Sequence, residues 1–453
     1  MRRFRGNMLE GPLLPSIIQY TVPIILTSIL QLLFNAADLV VVGQFCGSAS
    51  VAAVGATGSV TNLIVTLFIG LSSGAGVTVA QAIGSGDQRE IQRTVHTALP
   101  VALIGGVILT VAGIVLAEPI LKAMGTPESI LPLSVLYMRT YFSGMVFNMV
   151  YNFSASILRA AGDTRSPMVF LTIAGVANVI LNVFFVTVFH MDVMGVALAT
   201  VISQGISAVL VILVLINRRD GCQLVPSKLR IYLPQLKKII RIGLPAGIQS
   251  SLFSISNTLI QSSINSFGDA MVAGNSAAVN IEGFVYASMN AFQQTSVNFT
   301  GQNVGARQYD RVKKILGICI ALVTVVGLIT GVSAYVFGEQ LLSIYITDSP
   351  EAIAYGMIRL AFFVPYFLCG IMEVSTGALR GMGASLTPMV ITVLGACGIR
   401  LAWIYTIFQI PRFHTPQCLF FSYTVSWILT LTAQLIAFTI VYRKQVAKDS
   451  QLT

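Results

Sequence analysis

Three carboxylates stand inside long apolar runs of this 453-residue chain: Asp38 in FNAADLVVV, Glu282 in AAVNIEGFVYASMN and Glu373 in CGIMEVST. An ionised carboxylate in hydrocarbon costs several kcal/mol unless it is paired or faces a wet cavity, so each marks a place where a proton, a cation or a charged partner is held. One guanidinium, Arg400 in GACGIRLAW, shares that setting. Neutral polar groups join them: Asn178 and Asn182 in AGVANVILN are spaced i and i+4, which projects both amides from one helix face, and Thr200 lies in the sixth apolar run. Asp38 is about one turn from the end of its run, where it either snorkels to the interface or belongs to a site with such neutral groups. Glu282 and Arg400 lie at similar depth, which allows an ion pair that is either purely structural or a site for a cation or proton. Glu373, nearer the end of its run, is either solvated there or part of that second site.

Other chemistry finds little support. HExxH, GxSxG, Walker and Rossmann patterns are absent, and His96, His190 and His414 are scattered near run ends, so no enzyme activity and no cofactor are expected. The six cysteines show no CxxC or metal spacing and read as packing residues.

The elements that must position these groups are set by composition. Hydrophobic residues make up 55% of the chain, charged residues only 10%, and the mean hydropathy is +0.82. A soluble fold could not cover that much apolar surface, so lipid is the expected solvent. Twelve apolar runs are long enough to cross a bilayer as helices, near 17–42, 51–79, 94–117, 133–158, 167–189, 193–216, 240–265, 271–299, 315–338, 353–379, 388–410 and 417–442. The segment MRRFRGNMLEGPLLPS lacks a short apolar core followed by a small-residue cleavage site, so the first run is expected to be retained. The formal charge of +10 is spread over short inter-run segments, among them Arg2, Arg3 and Arg5, Arg89 and Arg93, Arg159 and Arg165, Arg218 to Arg241, Arg307 to Lys314, Arg380, and Arg443 to Lys448. Only Lys122 and Arg412 fall in loops on the other side, with Arg139 and Arg359 just inside span ends. The positive-inside rule then puts both termini in the cytoplasm, and basic residues facing headgroups in this scattered way leave no single nucleic-acid face. On this count Arg400 is the one mid-membrane cation away from span ends.

The halves repeat. At a spacing of 221 or 222, Val22-Pro23 meets Leu244-Pro245, Gly47 meets Gly268, Gln81 and Gly84 meet Gln302 and Gly305, and ILRAAGDTRSPM (157–168) meets ALRGMGASLTPM (378–389). An even number of spans per half makes the repeats parallel: an all-α integral membrane protein of twelve transmembrane helices in two six-helix repeats. The expected lobes are residues 1–220 and 221–453, with the charged segment 217–238 joining them. Gly70 and Gly74 form a small-xxx-small pair that predicts close helix packing.

LLFNAADLVVVGQF, the paired ILRAAGDTRSPM and ALRGMGASLTPM, and QAIGSGD with GQNVGAR resemble the multidrug and toxic compound extrusion (MATE) family over essentially the whole chain. The resemblance implies a V-shaped pair of bundles in the cell inner membrane. It implies export of amphipathic, often cationic drugs in exchange for H⁺ or Na⁺, by a chain that can act as a monomer in the lipid bilayer. It also implies that Asp38, Asn178, Asn182 and Thr200 form the cation site of the first lobe, a possible Na⁺ at Asp38 being the one metal expected. Asn152, or Asn148 one turn away, would contribute from the fourth span. Some members carry an acid where this chain has Asn182, which leaves H⁺ and Na⁺ both open. Pro23 lacks a backbone N–H, so it either bends the first span or is tolerated near its start. Met145, Met149, Phe153, Phe284, Tyr286, Met289, Phe292 and Gln293 are candidates to line a drug cavity. The rival reading is a related carrier that flips a lipid-linked saccharide or another envelope precursor, for which a strongly cationic cavity is expected.

Overall fold

The apolar runs fold as helices, and no strand occurs among the described residues, 8–347 and 349–451 of the computed structural model. Arg2, Arg3 and Arg5, used above for orientation, lie outside the described residues. In chain order the helices are α1 (Leu13–Phe45), α2 (Ser48–Ser85), α3 (Gln88–Ala123), α4 (Leu131–Ser143), α5 (Met145–Ala160), α6 (Arg165–Thr187), α7 (Asp192–Asn217), α8 (Leu233–Asn265), α9 (Asp269–Gly305), α10 (Tyr309–Val336), α11 (Gly338–Ser343), α12 (Pro350–Ala361), α13 (Phe367–Gly381), α14 (Leu386–Thr392), α15 (Arg400–Tyr405) and α16 (Pro416–Ser450). With α4–α5, α12–α13 and α14–α15 each counted as one broken passage and α11 as a short surplus turn, these make the twelve passages expected. Among the described residues, nine segments are long and apolar enough to cross a membrane. The other three passages are the broken α4–α5 and the Ser-, Asn- and Gln-bearing α8 and α9.

Helix α3 shows why the runs behave this way. Ala98, Ala102, Gly106, Leu109, Gly113 and Ala117 are buried on one face, and Ile104, Val107, Ile108, Val111 and Val115 are exposed on the other. The buried face is made of small residues that let helices approach closely, and the exposed face is apolar because hydrocarbon covers it.

The duplication is visible in the turns. Gly47 before α2 has φ 88 and ψ 176, and Gly268 before α9 has φ 91 and ψ 178, a region essentially confined to glycine. The fourth and tenth passages break at matching places, at Gly144 between α4 and α5 and at the 3₁₀ turn Val364–Tyr366 between α12 and α13. A Cβ on Gly144 would stand 2.7 Å from a Val201 methyl, so the break is also a point of close packing.

Among the described residues the chain forms two compact units, one of Leu26–Gly247 and the other of residues 8–25 and 248–451. Both divisions fall inside a helix, α1 or α8, just after Pro23 and Pro245. This corrects the expected boundary at 220/221. The linker and the first half of α8 belong to the first unit because they pack on it: a Cβ on Gly74 would lie 2.6 Å from Gly243 N, and one on Gly243 would lie 2.6 Å from Leu71 Cα. The small-xxx-small pair on α2 therefore receives α8, as the spacing predicts. Val225 N donates to His96 Nε2 (3.1 Å) and Tyr232 N to Thr97 Oγ1 (3.1 Å), which ties the linker to α3. Residues 233–238, read above as linker, already belong to α8. All six cysteines are free, and burial pushes the Cys222 thiol in the linker up to about 12, which suits a packing role.

Each unit has its own core. Met145, Met149 and Phe153 are fully buried in the first, and Met289 and Phe292 in the second. These five pack helices together in the two cores.

Candidate functional site

In the first unit, Gly175 on α6 leaves room for the Phe34 ring of α1, which would collide with any Cβ there. One turn beyond Phe34 stands Asp38, and two turns beyond Gly175 stands Asn182. Close approach at the glycine thus brings an acid and an amide together. Asn182 Nδ2 donates to Asp38 Oδ1 and to Asn178 Oδ1 (3.2 Å), and Asn178 Nδ2 donates to Thr200 Oγ1 (3.3 Å) on α7. Four of the residues singled out from the sequence are therefore linked in one chain of hydrogen bonds. Asn182 is fully buried, and its Oδ1 has no partner. No cluster of three or more His, Cys, Asp or Glu suited to a metal occurs among the described residues. A cation at this place would be held by a single carboxylate and neutral oxygens, a donor set that suits a hard ion or a proton.

Asn152 is not brought into that chain. Its amide donates back along α5 to the backbone and side-chain oxygens of Asn148, both at 2.9 Å. Two groups that sequence reasoning missed are Tyr137 and Tyr141 of α4, which lie within electrostatic reach of Asp38, with ring centroids 6.2 Å apart; Tyr141 also bonds Gln204. Their signal was present in YMRTY, where i and i+4 spacing puts both phenols on one face. Only 17% of the most apolar stretch of α1 is buried, against 28% or more in the other eight apolar segments, so α1 is the least embedded of them.

The second unit differs. Glu282 on α9 accepts from Arg359 on α12 and from the Tyr366 hydroxyl (2.9 Å). The expected Glu282–Arg400 pair is therefore wrong. Helices α9 and α12 meet at glycines, where a Cβ on Gly274 would lie 2.8 Å from Gly356 N, and this contact lets the long Arg359 side chain reach Glu282. Arg400 instead donates from Nε to Ser426 Oγ (2.9 Å) on α16, with its guanidinium carbon 4.1 Å from the Tyr423 ring centroid. The Arg359 guanidinium lies 5.0 Å from that same ring, so both stack on Tyr423. Beside them is a small half-open pocket lined by Glu282, Arg359, Tyr366, Tyr423, Trp427 and three phenylalanines, Phe362, Phe363 and Phe420.

Glu373 is 7% exposed and accepts from Gln293, so it is not a solvated carboxylate at a cavity mouth. Arg380, counted above among cations facing headgroups, is 6% exposed and donates to Gln249 Oε1 (2.8 Å). Gln249 in turn donates to Thr392 Oγ1 (3.1 Å), and Gln434 donates to both Thr392 (3.0 Å) and Thr376 (2.9 Å). Arg400 is thus not the one buried cation: Arg359 and Arg380 join it. Sequence depth misplaced both because each long side chain turns inward from a span end.

Two six-passage repeats with ionisable groups enclosed between their helices define a duplicated-bundle, multi-pass membrane protein. The MatE family profile matches residues 23–184 and again 245–406, once on each repeat, and the chain belongs to this family. The probable multidrug resistance proteins YoeA and YpnP of Bacillus subtilis (strain 168) are 28% and 29% identical, over 84% of both chains for YoeA and over 85% of this chain and 86% of the other for YpnP. A protein described as an FAD transporter of Shewanella oneidensis is 25% identical, with 86% of this chain and 87% of that one covered. Among solved structures, an outward-facing multidrug resistance MATE family transporter has a TM-score of 0.89 at 20% identity, covering 99% of this chain and 100% of the other. A MATE in the bent conformation has a TM-score of 0.88 at 20% identity, covering 100% of both. These likenesses give the twelve-helix, two-lobe fold of a multi-pass membrane protein whose relatives are transporters.

Proposed function

We propose that this chain is a cation-coupled antiporter that exports amphipathic, often cationic organic compounds by alternating access, with H⁺ or Na⁺ returning through the Asp38 site. The observation that carries this reading is the Asp38 carboxylate set against Asn182, whose own amide oxygen is buried and unpartnered. Ionised Asp38 can only accept hydrogen bonds. A proton turns it into a donor for the Asn182 oxygen, and Na⁺ would be shared by both oxygens, so either ion satisfies a group that is otherwise left bare.

Ion binding therefore changes how α1 is tied to α6, and α1 is the least buried of the nine apolar segments among the described residues. Pro23 leaves a carbonyl one turn earlier without its helical partner, and bending there is the proposed response. The drug-competent form is the one with ionised Asp38, and the returning ion competes with the drug by repacking α1. Glu282 already has the Arg359 cation as a partner, and Glu373 is bonded to Gln293 with no bare acceptor beside it like the Asn182 oxygen, so coupling is assigned to Asp38. The distribution of Lys and Arg supports cytoplasmic termini, and the family resemblance supports a chain that acts as a monomer in the inner membrane.

The test is uptake of a fluorescent organic cation into proteoliposomes with a pH gradient and a Na⁺ gradient imposed separately. Transport driven by at least one gradient supports the reading, and transport driven by neither sinks it. A second reading, export of an anionic nucleotide or envelope precursor, draws on the buried guanidiniums of the second unit and on the relative described as an FAD transporter. Flavin adenine dinucleotide and a lipid-linked saccharide, offered to the same liposomes, separate the two.

A further inference from the structure

We infer that the second unit contains a binding site for a monovalent anion, a halide or the carboxylate of an exported molecule, at the free edge of the Arg400 guanidinium. Arg400 is 0% exposed, and neither Nη1 nor Nη2 has a hydrogen-bond partner. Those two nitrogens form the fork that matches a carboxylate. A guanidinium stays charged even when buried, so the missing counter-charge cannot be avoided by losing a proton.

Nothing inside the unit supplies that charge. Arg359, Arg380 and Arg400 are buried there, and the carboxylates beside them among the described residues are the buried Glu373 and the partly buried Glu282. Glu282 is taken by Arg359 and Tyr366, and Glu373 by Gln293. The cluster is left with one excess positive charge, which calls for a single negative one. Ser426 accepts only from Nε, and Tyr423 offers a ring face, which eases the cation but leaves the Nη hydrogens without acceptors.

The repeat explains why the charge is here. At the spacing that relates Pro23 to Pro245, Arg400 falls opposite Asn178, and Ile260 falls opposite Asp38. The first unit has a carboxylate and neutral amides between its helices, and the second has a guanidinium and no acid at the matching place. Arg400 also follows directly on a π-helical stretch, Val393–Ile399, whereas the matching α6 is a continuous α-helix. Single π turns recur at functional sites, where they re-aim a side chain. Tyr423 and Trp427, which flank the Arg400 guanidinium, are also walls of a small half-open pocket next to it.

The carboxylate form of this site rests on the export reading, but binding itself does not and is measured without transport. The chain has two tryptophans, Trp403 and Trp427, so Trp403→Phe makes Trp427, 5.8 Å from the Arg400 guanidinium, the sole reporter. Purified Trp403→Phe protein is titrated with sodium chloride and with sodium benzoate in isethionate buffer while Trp427 emission is followed. The expected result is a saturable change, weakened about tenfold or more by Arg400→Gln and retained by Arg400→Lys, the loss expected when a charge-assisted hydrogen bond is removed. Saturation by chloride alone assigns the site to a free inorganic anion. Saturation by benzoate, displaced by chloride, assigns it to a substrate carboxylate. A purely linear response to both anions in the Trp403→Phe protein, or an equal saturable response after Arg400→Gln, overturns the proposal. The first of these needs no variant at Arg400 to fold.

Discussion

The Asn182 amide nitrogen on α6 donates to the Asp38 carboxylate on α1, while the Asn182 amide oxygen, fully buried, has no partner. One side chain thus both donates to the acid and keeps an acceptor ready for whatever neutralises it. Asn182→Leu removes both. The expected outcome is weaker dependence of transport on the imposed ion gradient, with protein yield and monodispersity near the parent level, measured in the same proteoliposomes. Unchanged ion dependence would mean that Asn182 takes no part in coupling.

Asn182→Asp puts a second carboxylate in contact with the first. Two such groups cannot both ionise cheaply, so the pair retains a proton to higher pH than one acid alone. The pH profile of transport should therefore move in the alkaline direction. A profile that stays put, or moves toward acid, contradicts the assigned contact.

Arg359 is buried and its partner Glu282 partly so, and removing one partner leaves the other charged and unpaired. Glu282→Gln should cost about 3–5 kcal/mol of stability, seen as a lower unfolding temperature in detergent, whereas the double change Glu282→Gln with Arg359→Met should restore much of it. Restored stability with restored transport marks the pair as structural. Restored stability without transport would return Glu282 to the substrate-binding groups.

Gly74 on α2 meets the backbone of α8 near Gly243. Gly74→Leu should separate the two helices and destabilise the protein by about 1–3 kcal/mol or more, read as reduced thermal stability and yield. Gly58, with open space where a Cβ would stand, should accept Ala with little effect in the same assay.

Much of the fold is legible in the sequence. The apolar runs, the paired glycines Gly47 and Gly268, and the prolines Pro23 and Pro245 all report backbone requirements, and these are local and repeat with the chain. Asp38, Asn178, Asn182 and Thr200 are also legible as a set, because amide spacing on one helix and depth along three helices are both counted in residues. What cannot be read is the direction in which a long side chain turns. Arg359 and Arg380 start near span ends and finish buried, so depth along the sequence assigns Glu282 to Arg400 and Arg380 to the headgroups. The unit boundary is hidden for a similar reason: charge marks a linker, but glycine contacts between α2 and α8 decide which unit the linker belongs to. Tyr137 and Tyr141 escape notice because phenols in a membrane span usually pack, and only proximity to Asp38 distinguishes them.

The central claim is that Asp38 couples ion return to export. It is tested most directly by comparing the parent with Asp38→Asn in proteoliposomes, following a fluorescent organic cation under a pH gradient, a Na⁺ gradient and no gradient. The account predicts that the parent is accelerated by at least one gradient and that Asp38→Asn transports at the no-gradient rate under all three conditions. Gradient-driven transport by Asp38→Asn equal to that of the parent would contradict it.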